Sequence, residues 1–130
     1  MSGAYITVLI ADDSAAIRRA VRALMEKSSL CQVCGEAENG KSAVELVHQL
    51  HPDVVVLDLS MPVMNGIEAA REISASEPHT KVVLFTAYDS EPLKREAQRA
   101  GVSTVLSKHS NRVLERLLRA IQEASKARAA

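Results

Sequence analysis

The sequence predicts an α/β fold in which five strands alternate with five helices and form one parallel sheet. The chain has five β-rich runs. A run such as Val54–Leu57 is apolar without polar alternation, which is typical of a strand buried on both faces, whereas Cys31–Ala37 is more polar and suits the edge of the sheet. Each run is followed by an amphipathic helical pattern, and turn or cap residues separate the two. Alternation of this kind implies right-handed crossovers with helices on both faces of the sheet. The expected architecture is a three-layer (βα)5 sandwich.

The composition fits one soluble domain. The chain has 130 residues, 47% of them hydrophobic, which is the usual size and apolar content of a single domain. Lys and Arg together number 16, as do Asp and Glu, and aromatic residues are only 2%, so nothing favours direct binding of nucleic acid by this domain. No stretch is long and apolar enough for a membrane span or a secretion signal. We expect a cytoplasmic protein with no membrane contact.

The predicted elements follow in order along the chain. The strands are Tyr5–Ala11, Cys31–Ala37, Val54–Leu57, Lys81–Thr86 and Ser103–Ser107. The helices are expected from Ala15, over Ser42–Leu50, over Ile67–Ala75, between the start signal Asp89–Pro92 and Gly101, and from Val113 to beyond Ile121. Asp13 or Ser14 can cap the first helix, and the periodicity places Leu50 and Leu114 on inward faces. Residues 1–124 are expected to form the domain, with residues 125–130 a frayed end or the start of a linker.

The stretch Pro52–Gly66 is the most informative part of the sequence. Four apolar residues run directly into Asp58, and a loop rich in Pro, Asn and Gly begins at once. An unpaired buried carboxylate is costly, so Asp58 is expected at the end of the strand, facing a crevice. In open α/β sheets that edge is where ligands bind.

Polar residues also end three of the other strands. Asp12 and Asp13 follow the first strand, Thr86 ends the fourth and Lys108 follows the fifth. Because parallel strands end at the same edge of a sheet, we expect these side chains to meet Asp58 there. Taken singly, an acid at a strand end is usually a cap or turn former, and a lysine is usually a solvated charge. The functional interpretation depends on their occurring together.

These residue types suit the formation of an aspartyl phosphate. Clustered carboxylates repel one another, and Mg²⁺ relieves that repulsion with oxygen ligands and its own waters. A carboxylate such as Asp58 can then act as a nucleophile toward phosphorus. Lys108 supplies a compact cation for the phosphoryl oxygens, and Thr86 supplies a hydroxyl.

Four motifs in this order resemble the receiver domain of the two-component response-regulator family. They are Ile10–Asp13, Pro52–Gly66, Leu84–Ala87 and Ala100–Lys108, and the resemblance runs from about Tyr5 to Ile121. It implies a flavodoxin-like sheet of strand order 2-1-3-4-5, for which receivers are a standard example.

The resemblance also implies the function and the roles of the site residues. Asp58 would accept a phosphoryl group from the phosphohistidine of a partner histidine kinase, as one step of a phosphorelay. The domain would then be a phosphoacceptor in signalling and not an enzyme that acts on other substrates. Mg²⁺ would be held by Asp13, Asp58 and the main-chain carbonyl of Ser60, with Asp12 acting through a bound water. Thr86 and Lys108 would hold the phosphoryl oxygens.

The same resemblance implies a switch at the surface of the fourth helix, fifth strand and fifth helix. That surface would control a downstream output protein or domain, such as a helix-turn-helix transcription regulator, which is not part of this sequence. The family resemblance also allows for a homodimer that forms when the domain is phosphorylated.

Two positions depart from the family pattern. The family usually has an aromatic residue three positions before its lysine, where this chain has Val105. Tyr88 could substitute for that ring, although we interpret it as a surface loop residue. His109 stands where the family has a proline with a cis bond. Since a non-proline cis bond costs about 3–4 kcal/mol, we expect a trans Lys108–His109 bond and a lysine that is less well placed when no phosphate is bound.

Three other kinds of protein compete with this interpretation. A receiver fold could signal without phosphorylation, as an interaction module. A phosphohydrolase like the haloacid dehalogenases needs a second acid two residues after its nucleophile, and that position is Ser60. A nucleotide-binding Rossmann domain needs a glycine-rich turn where this chain has Asp12 and Asp13.

Cys31 and Cys34 form a C-x2-C sequence that could suggest a metal or redox site. A zinc site needs a second pair of ligands at suitable spacing. A redox motif usually opens a helix, whereas these cysteines lie in a predicted strand. We therefore interpret them as two reduced thiols at or near the core.

Overall fold

A computed structural model describes residues 5–88 and 90–129 and shows five strands alternating with five helices. The strands are β1 Ile6–Ala11, β2 Cys31–Ala37, β3 Val54–Leu57, β4 Lys81–Thr86 and β5 Val102–Ser107. The helices are α1 Ala15–Lys27, α2 Gly40–Leu50, α3 Gly66–Ser76, α4 Glu91–Arg99 and α5 Val113–Ala129. All strand pairs are parallel and their order is β2-β1-β3-β4-β5, which confirms the predicted flavodoxin-like fold.

The two faces of the sheet build two separate cores. On β1, Val8 and Ile10 join the core with α1 and α5, while Leu9 and Ala11 join the core with α2, α3 and α4. The residues of β3 alternate between the two cores in the same way. Both faces of the central strands are therefore apolar, which explains why their sequences show no alternation of polar and apolar residues.

Side-chain caps fix where the helices begin. The Oγ of Ser14 accepts a hydrogen bond from the Ile17 amide at 3.2 Å, so Ser14 is the cap of α1. Asn65 and Glu68 form a reciprocal capping box at the start of α3, an arrangement that satisfies two otherwise unpaired amides. Asp89, expected in the turn before α4, lies outside the described residues. None of the described helices is long and apolar enough to cross a membrane.

Two leucines predicted to face inward are largely exposed. Leu50 and Leu114 are each 42% exposed. Leu50 lies against Gly35 of β2, which is an edge strand of the described sheet, so the rest of its side chain faces solvent. In α5 the buried stripe includes Ala120 and Ala124, which rotates the packed face of the helix away from Leu114.

Helix α5 is longer than expected. The apolar pattern ends at Ala124, but the helix continues to Ala129. Residues 125–129 are therefore helical in this structure rather than frayed. Whether they lead into another domain stays a prediction.

The two cysteines lie on opposite faces of the sheet. Cys31 belongs to the core under α1 and α5, whereas Cys34 packs against the core on the other face. A bulge between Val8 and Leu9 leaves Cys34 without a paired residue, and its Sγ donates to the Val8 carbonyl at 3.6 Å. Both thiols are free, and burial raises the pKa of each. Both cysteines thus lie at or near a core, where the sequence predicts them.

Candidate functional site

The carboxyl end of the sheet brings the predicted residues together. Asp12 and Asp58 are only 3% and 7% exposed, and Thr86 is fully buried. Asp13 lies at the surface beside them, and Lys108 enters from the end of β5. Three strand ends thus deliver three acids and an amine to one small region, and Thr86 ends the neighbouring strand β4.

The backbone holds Asp58 where β3 ends. Its amide donates to the carbonyl of Ala11 at 2.9 Å, which extends the β1–β3 pairing by one residue. The amide of Gly66 donates to the Leu59 carbonyl at 2.9 Å, so α3 begins directly against the loop that follows Asp58. A Cβ on Gly66 would lie 2.2 Å from the Asp58 carbonyl oxygen. Only glycine allows this approach.

Three carboxylates form a compact cluster. One carboxylate oxygen each from Asp12, Asp13 and Asp58 lies within 4.8 Å of the others. Burial raises the pKa of Asp58, the negative charge of Asp12 raises it further, and Lys108 opposes both effects. Oxygen ligands at this spacing, one of them open to solvent, suit a hydrated divalent cation such as Mg²⁺.

Lys108 bridges the two buried acids. Its Nζ lies 2.8 Å from Oδ2 of Asp12 and 3.5 Å from Oδ1 of Asp58. The ring of Phe85 lies beneath the amine, with its centroid 5.7 Å from Nζ. The amide of Lys108 donates to the Thr86 carbonyl at 2.8 Å, so pairing of β4 with β5 fixes the point from which the side chain extends.

No cis peptide bond occurs among the described residues. The Lys108–His109 bond is therefore trans, as predicted. Lys108 nevertheless reaches both acids. After the lysine the chain makes a tight turn in which the Ser110 amide donates to the Ser107 carbonyl at 3.2 Å. The His109 amide donates to Oγ of Ser107 at 3.1 Å. These bonds shape the loop without a proline.

Thr86 is linked to the loop that follows β4. Its Oγ1 accepts a hydrogen bond from the Tyr88 amide at 3.2 Å. The Tyr88 side chain is exposed, which confirms its interpretation as a surface loop residue. Val105 is only partly buried and packs against the core on the α4 side, so no large ring fills the space beside Thr86 at that position.

An ion-pair network next to the site was not predicted. Nη1 of Arg18 donates to the main-chain carbonyl of Asp12 at 2.7 Å, and its Nε donates to Oε1 of Glu36 at 3.0 Å. Nε of Arg22 donates to Oε2 of the same Glu36 at 2.6 Å. In the sequence these arginines lie off the apolar stripe of α1, and nothing in the local pattern indicates a partner for them. Only the fold places Glu36 opposite them.

The loop after Asp58 contains a strained residue. Val63 has a φ of 69° and is 77% exposed, and the Met64 amide donates to the Pro62 carbonyl at 2.7 Å across it. This is a γ-turn with positive φ, which is rare and strained. A β-branched residue makes the strain worse.

Replacing Val63 by glycine is therefore expected to stabilise the protein by about 1 kcal/mol, measured as the midpoint of urea unfolding. The exposed Val63 side chain loses little packing when it is removed. Ala23→Gly, at an exposed position within α1, is the control and should destabilise by about 1 kcal/mol. Equal losses in both variants would show that Val63 is not strained.

The chain matches the family model described as response regulator receiver domain over residues 8–122. It is 38% identical over 112 residues to the chemotaxis protein CheY of Thermotoga maritima, covering 85% of this chain and 92% of that protein. It is 36% identical over 124 residues to the uncharacterised transcriptional regulatory protein YxjL of Bacillus subtilis, covering 95% of this chain. It spans only 56% of YxjL.

Among solved structures, the response regulator domain of Thermotoga maritima CheB superposes with a TM-score of 0.87 at 30% identity. The match covers 94% of this chain and 97% of that one. The family model, the relatives and the superposition agree with the observed fold. The chain therefore belongs to the response regulator receiver domain family.

Proposed function

We propose that Asp58 accepts a phosphoryl group from the phosphohistidine of a partner histidine kinase, in a reaction that depends on Mg²⁺. The observation that carries this proposal is the meeting of three carboxylates with the amine of Lys108 at one sheet edge. Among these acids, Asp58 is the one that combines burial and a neighbouring amine with a position at the end of β3, next to the loop that contains Ser60.

The residues present fit a magnesium ion. Asp13, Asp58 and the main-chain carbonyl of Ser60 would hold it, and Asp12 would act through a bound water. When bound, Mg²⁺ supplies positive charge to the oxygens of the transferring phosphoryl group. The spacing of the carboxylate oxygens, within 4.8 Å of one another, supports the three acids of this set.

In the transfer, a carboxylate oxygen of Asp58 forms a bond to phosphorus. The phosphorus–nitrogen bond of the donor breaks, and its electron pair returns to the imidazole. Lys108 is already within 3.5 Å of Asp58 and would move its amine onto a phosphoryl oxygen, releasing Asp12. The buried position of Asp58 limits the access of water to the acyl phosphate.

The signal would leave the site through Thr86. Turning its hydroxyl toward the phosphoryl group would break the bond from the Tyr88 amide. That change would bias the loop before α4, and with it the surface formed by α4, β5 and α5. Because Val105 replaces the usual ring, this main-chain link is the route that we propose for the switch.

The output is either a separate protein or an attached domain. The CheY relative is covered almost to its full length, whereas the chain spans about half of YxjL. Either arrangement fits the proposal, as does a homodimer that forms on phosphorylation. The domain itself would carry out only its own phosphorylation and dephosphorylation, in the cytoplasm.

Incubation with acetyl phosphate and Mg²⁺, followed by intact-mass measurement, tests the proposal. We expect a gain of one phosphoryl group, lost on addition of EDTA before the donor and lost in Asp58→Asn. Ser60→Ala keeps the main-chain carbonyl and should still be modified, which excludes a serine ester.

Two outcomes would contradict the proposal. A wild-type protein that gains no phosphoryl group would favour an interaction module that works without phosphorylation. Continuous release of phosphate from many esters would favour a hydrolase.

A further inference from the structure

We propose that Arg18 is a positioning residue that orients the Asp12–Asp13 peptide so that Asp13 can bind the metal ion. The inference rests on the proposed function, because it concerns the same metal site. It assigns a role to a side chain that touches none of the three carboxylates.

Asp12 is held at all of its polar groups. Its amide donates to the Ala37 carbonyl at 3.1 Å, and its two carboxylate oxygens accept from the Ser14 amide at 2.9 Å and from Lys108 at 2.8 Å. The remaining group is the main-chain carbonyl, which accepts from Arg18 at 2.7 Å. Without Arg18 this buried carbonyl loses the only side-chain donor that it has among the described residues.

That carbonyl belongs to the same planar unit as the amide of Asp13. Because the peptide bond does not rotate freely, fixing the Asp12 carbonyl also fixes the direction in which the chain enters Asp13. Asp13 is exposed and makes no hydrogen bond or ion pair of its own within the described part of the chain. Its position therefore depends on the backbone that precedes it.

Arg18 is itself firmly held. Its side chain is only 15% exposed, and it shares Glu36 with Arg22 through bonds of 3.0 and 2.6 Å. Arg22 and then Arg18 keep the pKa of Glu36 below its usual range, so the acid remains charged. Glu36 lies in β2 next to Ala37, which bonds the Asp12 amide. The main-chain amide and the main-chain carbonyl of Asp12 are thus both anchored to β2, the first directly and the second through Arg18.

The direction in which metal affinity changes when Arg18 is replaced distinguishes a positioning role from a purely electrostatic one. A positive charge near a cation site repels the ion, so removing Arg18 should tighten metal binding if charge alone mattered. Loss of positioning predicts the opposite result. Arg19 offers a matched control, since it carries the same charge on the same helix, is exposed and makes no hydrogen bond or ion pair with any residue that the structure describes.

Calorimetric titration of the protein with Mg²⁺ tests the inference. We expect Arg18→Met to raise the Kd by about tenfold, the lower end of what the loss of an outer hydrogen bond to a metal site costs. Arg18→Lys should also bind weakly, because the lysine has a single nitrogen in place of the separate Nη1 and Nε atoms with which Arg18 bonds the Asp12 carbonyl and Glu36. Arg19→Met should bind Mg²⁺ as tightly as wild type or more tightly.

A second measurement needs no metal. Nitrogen-15 relaxation of Asp13 and Ser14 in the metal-free protein should show greater motion in Arg18→Met than in Arg19→Met. If Arg18→Met does not fold, Arg18→Lys and Glu36→Gln give the same comparison. Wild-type affinity and unchanged relaxation in the Arg18 variants would overturn the inference while leaving the proposed function intact. A wild-type protein that does not bind Mg²⁺ would overturn both.

Discussion

Gly66→Ala is expected to destabilise the protein by about 2–3 kcal/mol, the cost of forcing extra volume into a packed site. An added Cβ would lie 2.2 Å from the Asp58 carbonyl oxygen and 3.0 Å from Cδ1 of Leu84. The first contact is with backbone, which cannot step aside as a flexible side chain can. Either α3 or the main chain at Asp58 must move.

The thermal midpoint should fall by about 10 °C, at roughly 4 °C per kcal/mol for a domain of this size. Phosphorylation by acetyl phosphate should also slow, because the displaced backbone carries Asp58. Gly35→Ala is the control, since its Cβ would meet only the ends of Leu50 and Leu9 at 3.1 Å. Equal losses in the two variants would contradict the explanation.

The second large effect is a gain in stability. Asp58→Asn is expected to raise the thermal midpoint of the metal-free protein by several degrees at neutral pH. The wild-type site holds two buried acids for one amine, and a neutral amide removes both the cost of desolvating Asp58 and its repulsion by Asp12. Ser60→Ala, at an exposed neighbour, should leave the midpoint unchanged.

The gain should depend on pH in a defined direction. Burial raises the pKa of Asp58 in the folded protein, so the folded state keeps its proton at pH values where the unfolded chain has lost it. The wild-type protein therefore loses stability as pH rises from the ordinary Asp pKa, about 3.9, through the higher folded-state pKa. The advantage of Asp58→Asn is fully present above that range and shrinks as pH falls toward 4.

Mg²⁺ should reverse the order of the two proteins. An ion bound at Asp13 and Asp58 stabilises the wild-type protein in proportion to its occupancy, whereas the variant has lost one ligand. Unfolding scans in EDTA and in excess Mg²⁺ measure both effects. A variant that is less stable than wild type in EDTA would show that the ionised carboxylate of Asp58 does not destabilise the folded protein.

The fold could be predicted because its signals are local. Unbroken apolar runs mark the buried strands, and Ser14 and Asn65 cap helices within three residues of their own position. Strand β3 has the predicted bounds Val54–Leu57. The positions of Leu50 and Leu114 could not be predicted in this way, because helical periodicity does not show which sheet edge is bare or how small residues rotate a packed face.

The clustering of three acids with Lys108 could also be predicted, since each of these residues follows a strand of the same sheet. Their pairing could not. That Lys108 bonds Asp12 more closely than Asp58 follows from the path of the β5–α5 loop, which the sequence does not encode locally. The contact of Arg18 with a main-chain carbonyl 6 residues earlier has no sequence signal, because any residue type can supply that carbonyl.

The arrangement implies an order of events at the site. In the metal-free protein the amine of Lys108 serves as the counter-ion for Asp12 and Asp58. A metal ion would take over that role and leave the lysine able to bond the incoming phosphoryl group. The same residues would thus stabilise the resting protein and prepare it for the reaction.

The most direct test of the central claim locates the phosphoryl group chemically. Borohydride reduces an acyl phosphate of aspartate to homoserine, whereas phosphate esters of serine and threonine resist it. Protein treated with acetyl phosphate and Mg²⁺, then with borohydride, is digested and sequenced by mass spectrometry. We predict homoserine at position 58 and unmodified aspartate at positions 12 and 13. Homoserine at another position, or a borohydride-resistant phosphate on Ser60 or Thr86, would contradict Asp58 as the phosphoacceptor.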